Sequence, residues 1–200
     1  MSAQYISIDD QKKRIPGYKP EEAEKYHQES AKAADKLFAD ALKHDPSDTV
    51  ILLCGGSASG KSEFCLSHLT DEDAIIYDGT LPTIAGAKIK LRNIEKNGKK
   101  AMVYVIIPDD LHRAFKAFLG RERRFQPEHF YRTHAGSRQT LLWVATARMH
   151  VPVRIFESSY GDDGRLRFRP LTFENHQALI DYLWENQYNE QQIANLVHPL

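Results

Sequence analysis

The sequence predicts an α/β fold in which a parallel sheet lies between two layers of helices. Two observations carry this. Short apolar runs rich in β-branched residues, at 49–54, 74–77 and 101–107, alternate with longer amphipathic stretches. Strands separated by single helices imply right-handed parallel crossovers. The first run also feeds directly into Gly55-Gly56-Ser57-Ala58-Ser59-Gly60-Lys61-Ser62, in which two glycines separated by four residues are followed by Lys and Ser.

A loop wrapped round a phosphate must aim several backbone N–H groups inward, and glycines permit the positive φ and close approach that this needs. Read this way, Gly55, Gly56, Ser57, Ala58, Ser59 and Gly60 cradle a nucleoside triphosphate, Lys61 reaches its β- and γ-phosphates, and the Ser62 hydroxyl holds Mg²⁺. Phe64, Leu66 and Leu69 place apolar groups on the following helix, whose N-terminal dipole faces the phosphates. Strand, loop and helix in this order specify a three-layer P-loop NTPase-type domain, a parallel sheet flanked by helices, over residues 49–200. Residues 1–48 are expected to form an N-terminal arm and helix packed on that core.

With 200 residues, 42% of them hydrophobic, the chain is long enough for one domain with a sizeable core and too short for two large ones. Lys plus Arg number 27 and Asp plus Glu also 27, so no overall basic field favours nucleic acid or an anionic membrane. The two cysteines, Cys54 and Cys65, stand in no metal-ligand or redox spacing and read as small buried apolar residues. No stretch reaches membrane-span length, and residues 1–10 lack the basic-then-apolar build of a signal peptide, so a cytoplasmic location is expected.

In chain order, Pro16, Gly17 and Pro20 mark residues 1–20 as an extended arm outside the core. Residues 21–44 carry apolar side chains near helical spacing, and Asp45-Pro46 breaks that helix. The run at 74–77 ends in Asp78-Gly79-Thr80; a carboxylate at a strand's C-terminal end beside a phosphate loop is where open α/β sheets gather their chemistry, so Asp78 is the leading catalytic or metal-handling acid. Residues 82–100 form a helix with a basic outer face, stopped by Asn97-Gly98. Residues 101–107 are the strongest strand signal, ended by Pro108.

A helix at 111–119 runs into Gly120-Arg121-Glu122-Arg123-Arg124-Phe125-Gln126-Pro127, whose arginines suit closure over a triphosphate. Residues 128–148 read as a further helix; His129 and His134 lie five apart, off the four-residue step that aligns ligands on one helix face, and suggest no metal site. Strands at 151–156 and 165–172 flank a turn at Gly161 to Gly164, and a last helix at 175–196 is interrupted near Tyr188-Asn189.

The order of these parts resembles the zeta-toxin family of P-loop kinases. The correspondence rests on residues 55–62, on Asp78-Gly79-Thr80-Leu81, on the basic helix 88–100, on the strand 103–109 with its Pro and acid, and on Arg124-Phe125-Gln126-Pro127. Pro16-Gly17-Tyr18 and Tyr26-His27-Gln28-Glu29-Ser30 look like the N-terminal arm of such proteins. The resemblance implies phosphorylation of a sugar hydroxyl of UDP-N-acetylglucosamine with ATP and Mg²⁺, and an antitoxin partner. It implies phosphate and metal binding by Lys61 and Ser62, a γ-phosphate role for Arg124, and Arg121 as the partner arginine. Two departures accompany it. The interval before Asp78 is too short for the additional strand and helix that family members carry there, and Pro82 stands where the family has a substrate-binding Arg.

The expectation is therefore an ATP-dependent phosphotransferase of zeta-toxin type acting on a small-molecule hydroxyl. In it Lys61 and Ser62 with Mg²⁺ position ATP, Asp78 handles the acceptor hydroxyl or the metal, and Arg121 and Arg124 stabilise the transferred group. The alternatives are an ATP-binding module without transferase activity and a polynucleotide kinase, the latter supported by the basic helix alone.

Overall fold

A computed structural model describes residues 4–161 and 163–198. Its apolar runs pair into one six-stranded sheet made of β1 (Gln4–Ser7), β2 (Thr49–Cys54), β3 (Ala74–Asp78), β4 (Lys100–Pro108), β5 (Val153–Tyr160) and β6 (Leu166–Leu171). The spatial order is β1-β3-β2-β4-β5-β6. Every neighbouring pair is parallel except β5 and β6. The helices are α1 (Ile8–Lys13), α2 (His27–His44), α3 (Lys61–His68), α4 (Ile84–Lys96), α5 (Leu111–Leu119), α6 (Pro127–Ala147), α7 (His176–Glu185) and α8 (Glu190–Val197).

The sheet is buried on both faces, which is why its central strands are apolar at successive positions instead of alternating. On β2, Val50 and Leu52 join Phe38 of α2, Leu91 of α4 and Leu141 of α6 in the larger core. Ile51 and Leu53 point the other way, to Phe64 and Cys65 of α3. A third cluster joins α5, α6 and α8 around Phe115, Phe118 and Phe130. The three-layer plan expected from the sequence is the plan found. Both cysteines are buried and free, and burial pushes the Cys54 thiol up to about 12, which keeps it protonated. The interruption near Tyr188-Asn189 is a helix start, where Asn189 and Gln192 form a reciprocal capping box on α8.

From β2 the chain passes to β3 on one side and then crosses to β4 on the other, so the sheet has its switch point at β2. Ligands bind at such points, beyond the carboxyl ends of the strands. Residues 55–62 leave β2 there.

Residues 4–20 differ from the extended arm that the sequence suggests; residues 1–3 lie outside the described residues. Gln4–Ser7 is an edge strand that pairs in parallel with β3, in register Ile6↔Tyr77 and Ser7↔Asp78. Ser7 then caps α1, its hydroxyl accepting from the Asp9 and Asp10 backbone N–H groups. The physical reason is burial: Ile6 is 3% exposed, joins the main core and covers an edge that β3 would otherwise present to water. Among the described residues no helix is long and apolar enough to cross a membrane.

Candidate nucleotide site

The loop at 55–62 needs its glycines for contact as much as for conformation. Gly55 has φ 142° and Gly60, which caps α3, has φ 90°. A Cβ on Gly55 would stand 2.4 Å from the Ile106 carbonyl oxygen, and one on Gly56 2.2 Å from the His134 ring. Two residues without that freedom also adopt left-handed φ beside the cleft, Ala58 at 62° and Leu81 at 46°. Such a conformation costs a non-glycine residue about 1–2 kcal/mol, and Ala58 is held in it by packing against the α5–α6–α8 cluster.

Neighbouring elements fix the outside of the loop. Ser57 N–H donates to Thr133 Oγ1 at 3.0 Å, and Ser158 Oγ donates to the Ser59 carbonyl at 2.8 Å. His134 Nε2 lies 2.9 Å from the Ser57 carbonyl; that oxygen can only accept, so Nε2 carries the proton. Burial holds this imidazole neutral, with its pKa well below the ordinary value.

Inside the loop, Lys61 Nζ donates to the carbonyls of Gly55 at 3.0 Å and Gly56 at 2.8 Å, and to Ser59 Oγ at 3.4 Å. Burial lowers its pKa, while Asp78 opposes the shift. Asp78 ends β3, the strand beside β2, and the register Leu52↔Tyr77 brings its carboxylate level with the start of α3. There Ser62 Oγ donates to Asp78 Oδ2 at 3.0 Å, and the Tyr5 hydroxyl donates to the same oxygen at 2.5 Å. Burial raises the Asp78 pKa against the pull of Lys61 and these two bonds.

A hydroxyl and a carboxylate side by side are hard oxygen donors. That set fits Mg²⁺, which commonly takes one or two protein oxygens and completes its shell with phosphate and water. Among the described residues no group of three or more His, Cys, Asp or Glu is placed to hold a metal without a ligand's help.

The segment between α5 and α6 lies over the loop, and its arginines divide. Arg121 lines the cleft; burial, then Arg123, lowers its pKa. Arg123 also lines the cleft and forms an ion pair with Asp9 at its mouth. Arg124, the expected γ-phosphate arginine, is placed elsewhere: its side chain is exposed and donates to the Leu119 carbonyl at 2.9 Å. The chain turns so that alternate residues face the loop, and Arg124 falls on the outer side. Pro82, at the position of the family's substrate arginine, packs against α6, where a Cβ on Gly136 would meet its carbonyl oxygen at 2.1 Å.

Sequence reasoning missed Tyr5, Asp9 and Lys12, and of the three arginines at 121, 123 and 124 it singled out Arg121 and Arg124 over Arg123. Asp9 sits in the cleft wall with Lys12 Nζ bonded to its Oδ1 at 3.0 Å. Burial alone would raise its carboxyl, but Lys12 and Arg123 together hold it down at about 2. Lys12 is 2% exposed and lies 4.6 Å over the Phe125 ring. A local signal exists for the helix that carries Asp9 and Lys12, in Ser7 followed by Asp9-Asp10, a cap with acids in the first turn; the strand before it is too short to stand out.

Loop, strand-end carboxylate and sheet order define an α/β fold of P-loop NTPase type, the fold that the zeta-toxin resemblance implies. Among solved structures the chain is similar to the AvrRxo1-ORF1:AvrRxo1-ORF2 complex with ATP, at 14% identity and TM-score 0.52, over 84% of this chain and 82% of that chain. It is also similar to the native form of that complex, at 12% identity and TM-score 0.49, over 85% and 82%. The PezAT chromosomal toxin–antitoxin system of Streptococcus pneumoniae matches at 14% identity and TM-score 0.37, over 82% and 93%. At such identities the likeness is one of fold, and the ATP complex carries it. No protein-family model and no curated protein sequence matches the chain.

Proposed function

We propose that the protein is an ATP-dependent phosphotransferase of zeta-toxin type that transfers the γ-phosphoryl group to a small-molecule hydroxyl, with UDP-sugars the first acceptor class to try. The observation that carries this reading is the contact of Ser62 Oγ with Asp78 Oδ2 at 3.0 Å, beside a lysine coiled into its own glycine loop. The ATP-bound neighbour of similar fold supports the choice of nucleotide. That neighbour is a complex of two proteins, which supports an antitoxin-like partner for this chain.

The residues then divide the work. The bonds from Lys61 Nζ to the Gly55 and Gly56 carbonyls would be exchanged for phosphate oxygens when ATP enters. Ser62 and Asp78 would hold Mg²⁺, which would supply positive charge against the charge that develops on the phosphates. Tyr5 keeps the Asp78 carboxylate turned toward Ser62. Arg121 and Arg123 bring positive charge from the lid to the transferred group. Phosphoryl transfer asks mainly for positioning and charge, and these groups supply both.

Asp78 Oδ2 is committed to Ser62 and Tyr5, so its part is that of the metal-side acid. A chain in which no other carboxylate meets the acceptor would bind ATP without transferring phosphate, and this is the rival reading. Calorimetry with ATP and Mg²⁺ tests the first step. The native chain is expected to bind, and Lys61→Ala to weaken binding by about 30-fold or more, since a hydrogen bond to a charged group is worth about 2 kcal/mol. Incubation with γ-labelled ATP and UDP-sugars then separates transfer from binding alone. A native chain that binds no ATP would end the kinase reading.

A further inference from the structure

The phosphate loop is held from behind by two successive residues of α6, and both grip Ser57. Its N–H donates to Thr133 Oγ1 and its carbonyl accepts from His134 Nε2, at 3.0 and 2.9 Å. The His134 ring is buried against Phe130, with ring centroids 4.1 Å apart, and against Gly56, where a Cβ would run into it. Its other nitrogen, Nδ1, lies 3.3 Å from Arg138 Nη1, one turn along the helix. A guanidinium only donates, so Nδ1 accepts and the proton stays on Nε2, where the Ser57 carbonyl needs it. Arg138 is itself buried, and among the described residues no carboxylate pairs with it. A buried cation without a counter-ion costs stability, so its bond to His134 is not explained as part of a core ion pair.

The peptide between Ser57 and Ala58 is where these contacts act. The carbonyl and N–H of a trans peptide point opposite ways. A Ser57 carbonyl turned to α6 therefore aims the Ala58 N–H into the cleft, which Ser57 and Ala58 line and His134 does not. Ser158 does the same two peptides on, holding the Ser59 carbonyl and so aiming the Gly60 N–H. The two cases differ in strain. Gly60 adopts φ 90° freely, whereas Ala58 is left-handed at 62°. Half a turn of the Ser57–Ala58 peptide would return Ala58 to the negative φ that alanine prefers, and would put a carbonyl oxygen where the phosphate binds.

Resting on the ATP site of the kinase reading above, we propose that His134 is a positioning residue of that site. Its Nε2–H holds the Ser57–Ala58 peptide in the strained orientation that presents the Ala58 N–H to phosphate, and Arg138 fixes the tautomer that allows this. Packing among α5, α6 and α8 fixes the Ala58 methyl, and the hydrogen bond fixes the peptide plane before it.

The test is calorimetry of the full chain with ATP and Mg²⁺ in two backgrounds. The preference of an alanine against left-handed φ corresponds to a factor of about 5 to 30. His134→Phe keeps a buried ring and loses the donor, and is expected to weaken ATP binding about tenfold. In Ala58→Gly, where either orientation is unstrained, the same substitution is expected to weaken binding by less than about threefold. His134→Gln, whose amide reaches as far as Nε2 and donates, is expected to bind within about threefold of the native chain.

A loss from His134→Phe that is equal in the two backgrounds would show that the ring serves packing alone and would overturn the proposal, as would native-like binding by His134→Phe. The imidazole nitrogen NMR signals of the native chain depend on no variant's folding. They are expected to show His134 protonated at Nε2, and a proton on Nδ1 would overturn the proposal directly. A native chain that binds no ATP would instead overturn the kinase reading on which the proposal rests.

Discussion

Asp9 shows how a single side chain can be set by neighbours far away in sequence. Its carboxylate lies among partly buried groups that would push its pKa up, yet Lys12 from the next turn of α1 and Arg123 from the lid bring it down to about 2. The folded value lies below the ordinary 3.8, so the ion pair stabilises the fold above that pH and the contribution disappears as the pH falls through about 2. Arg123→Ala is expected to move the Asp9 carboxyl back up toward its ordinary value, as read by an NMR titration of the side-chain carboxyl; an unmoved titration would mean that Lys12 alone holds it. The same residues mark the limit of reading a site from sequence. Lys61 and Ser62 were legible because the glycine spacing fixes what a loop of that kind must do. Arg123 and Arg124 are adjacent, and only the course of an irregular seven-residue connection decides which one faces the loop.

The central elements were legible for a related reason. β2, β3 and β4 are buried on both faces, so their sequences are continuous apolar runs that stand out from the helices between them. β1 was not, because a four-residue strand at a sheet edge carries too little periodicity to be told from a loop. Its place depends on pairing with residues about seventy positions later, which nothing local announces. Its contribution is nonetheless structural: Ile6 is buried in the main core, and Tyr5 beside it reaches Asp78 at 2.5 Å. Ile6→Ala is expected to destabilise the protein by about 2–4 kcal/mol, the cost of an emptied core position, with the loss read from urea unfolding. A loss under 0.5 kcal/mol would mean that the edge strand is not part of the cooperative fold.

At the scale of the whole molecule, two features decide what the protein can bind. The first is charge. The chain is formally neutral, and the lysines of the basic helix are partly spent on intramolecular contacts, Lys90 with Asp35 at 2.6 Å and Lys88 over the Trp143 ring. That leaves less of a stripe to track a polynucleotide backbone than the sequence of α4 suggested, and favours the small-molecule reading over the polynucleotide one. The second is the coupling of arm and lid. The Arg124 N–H donates to the Pro20 carbonyl at 2.9 Å and the Gln126 N–H to Glu24 Oε2 at 3.2 Å, while Asp9 pairs with Arg123 and Lys12 lies over Phe125. The lid is thus tied at four points to residues 9–24, so the two are expected to move together. Hydrogen exchange gives the measurement. Addition of ATP and Mg²⁺ is expected to slow exchange over residues 8–14 and 120–126 in parallel, and Arg123→Ala to loosen both segments before nucleotide is added. Protection that appeared in the lid while the arm stayed unchanged would show that the lid closes by itself and that the arm serves only as a wall of the cleft.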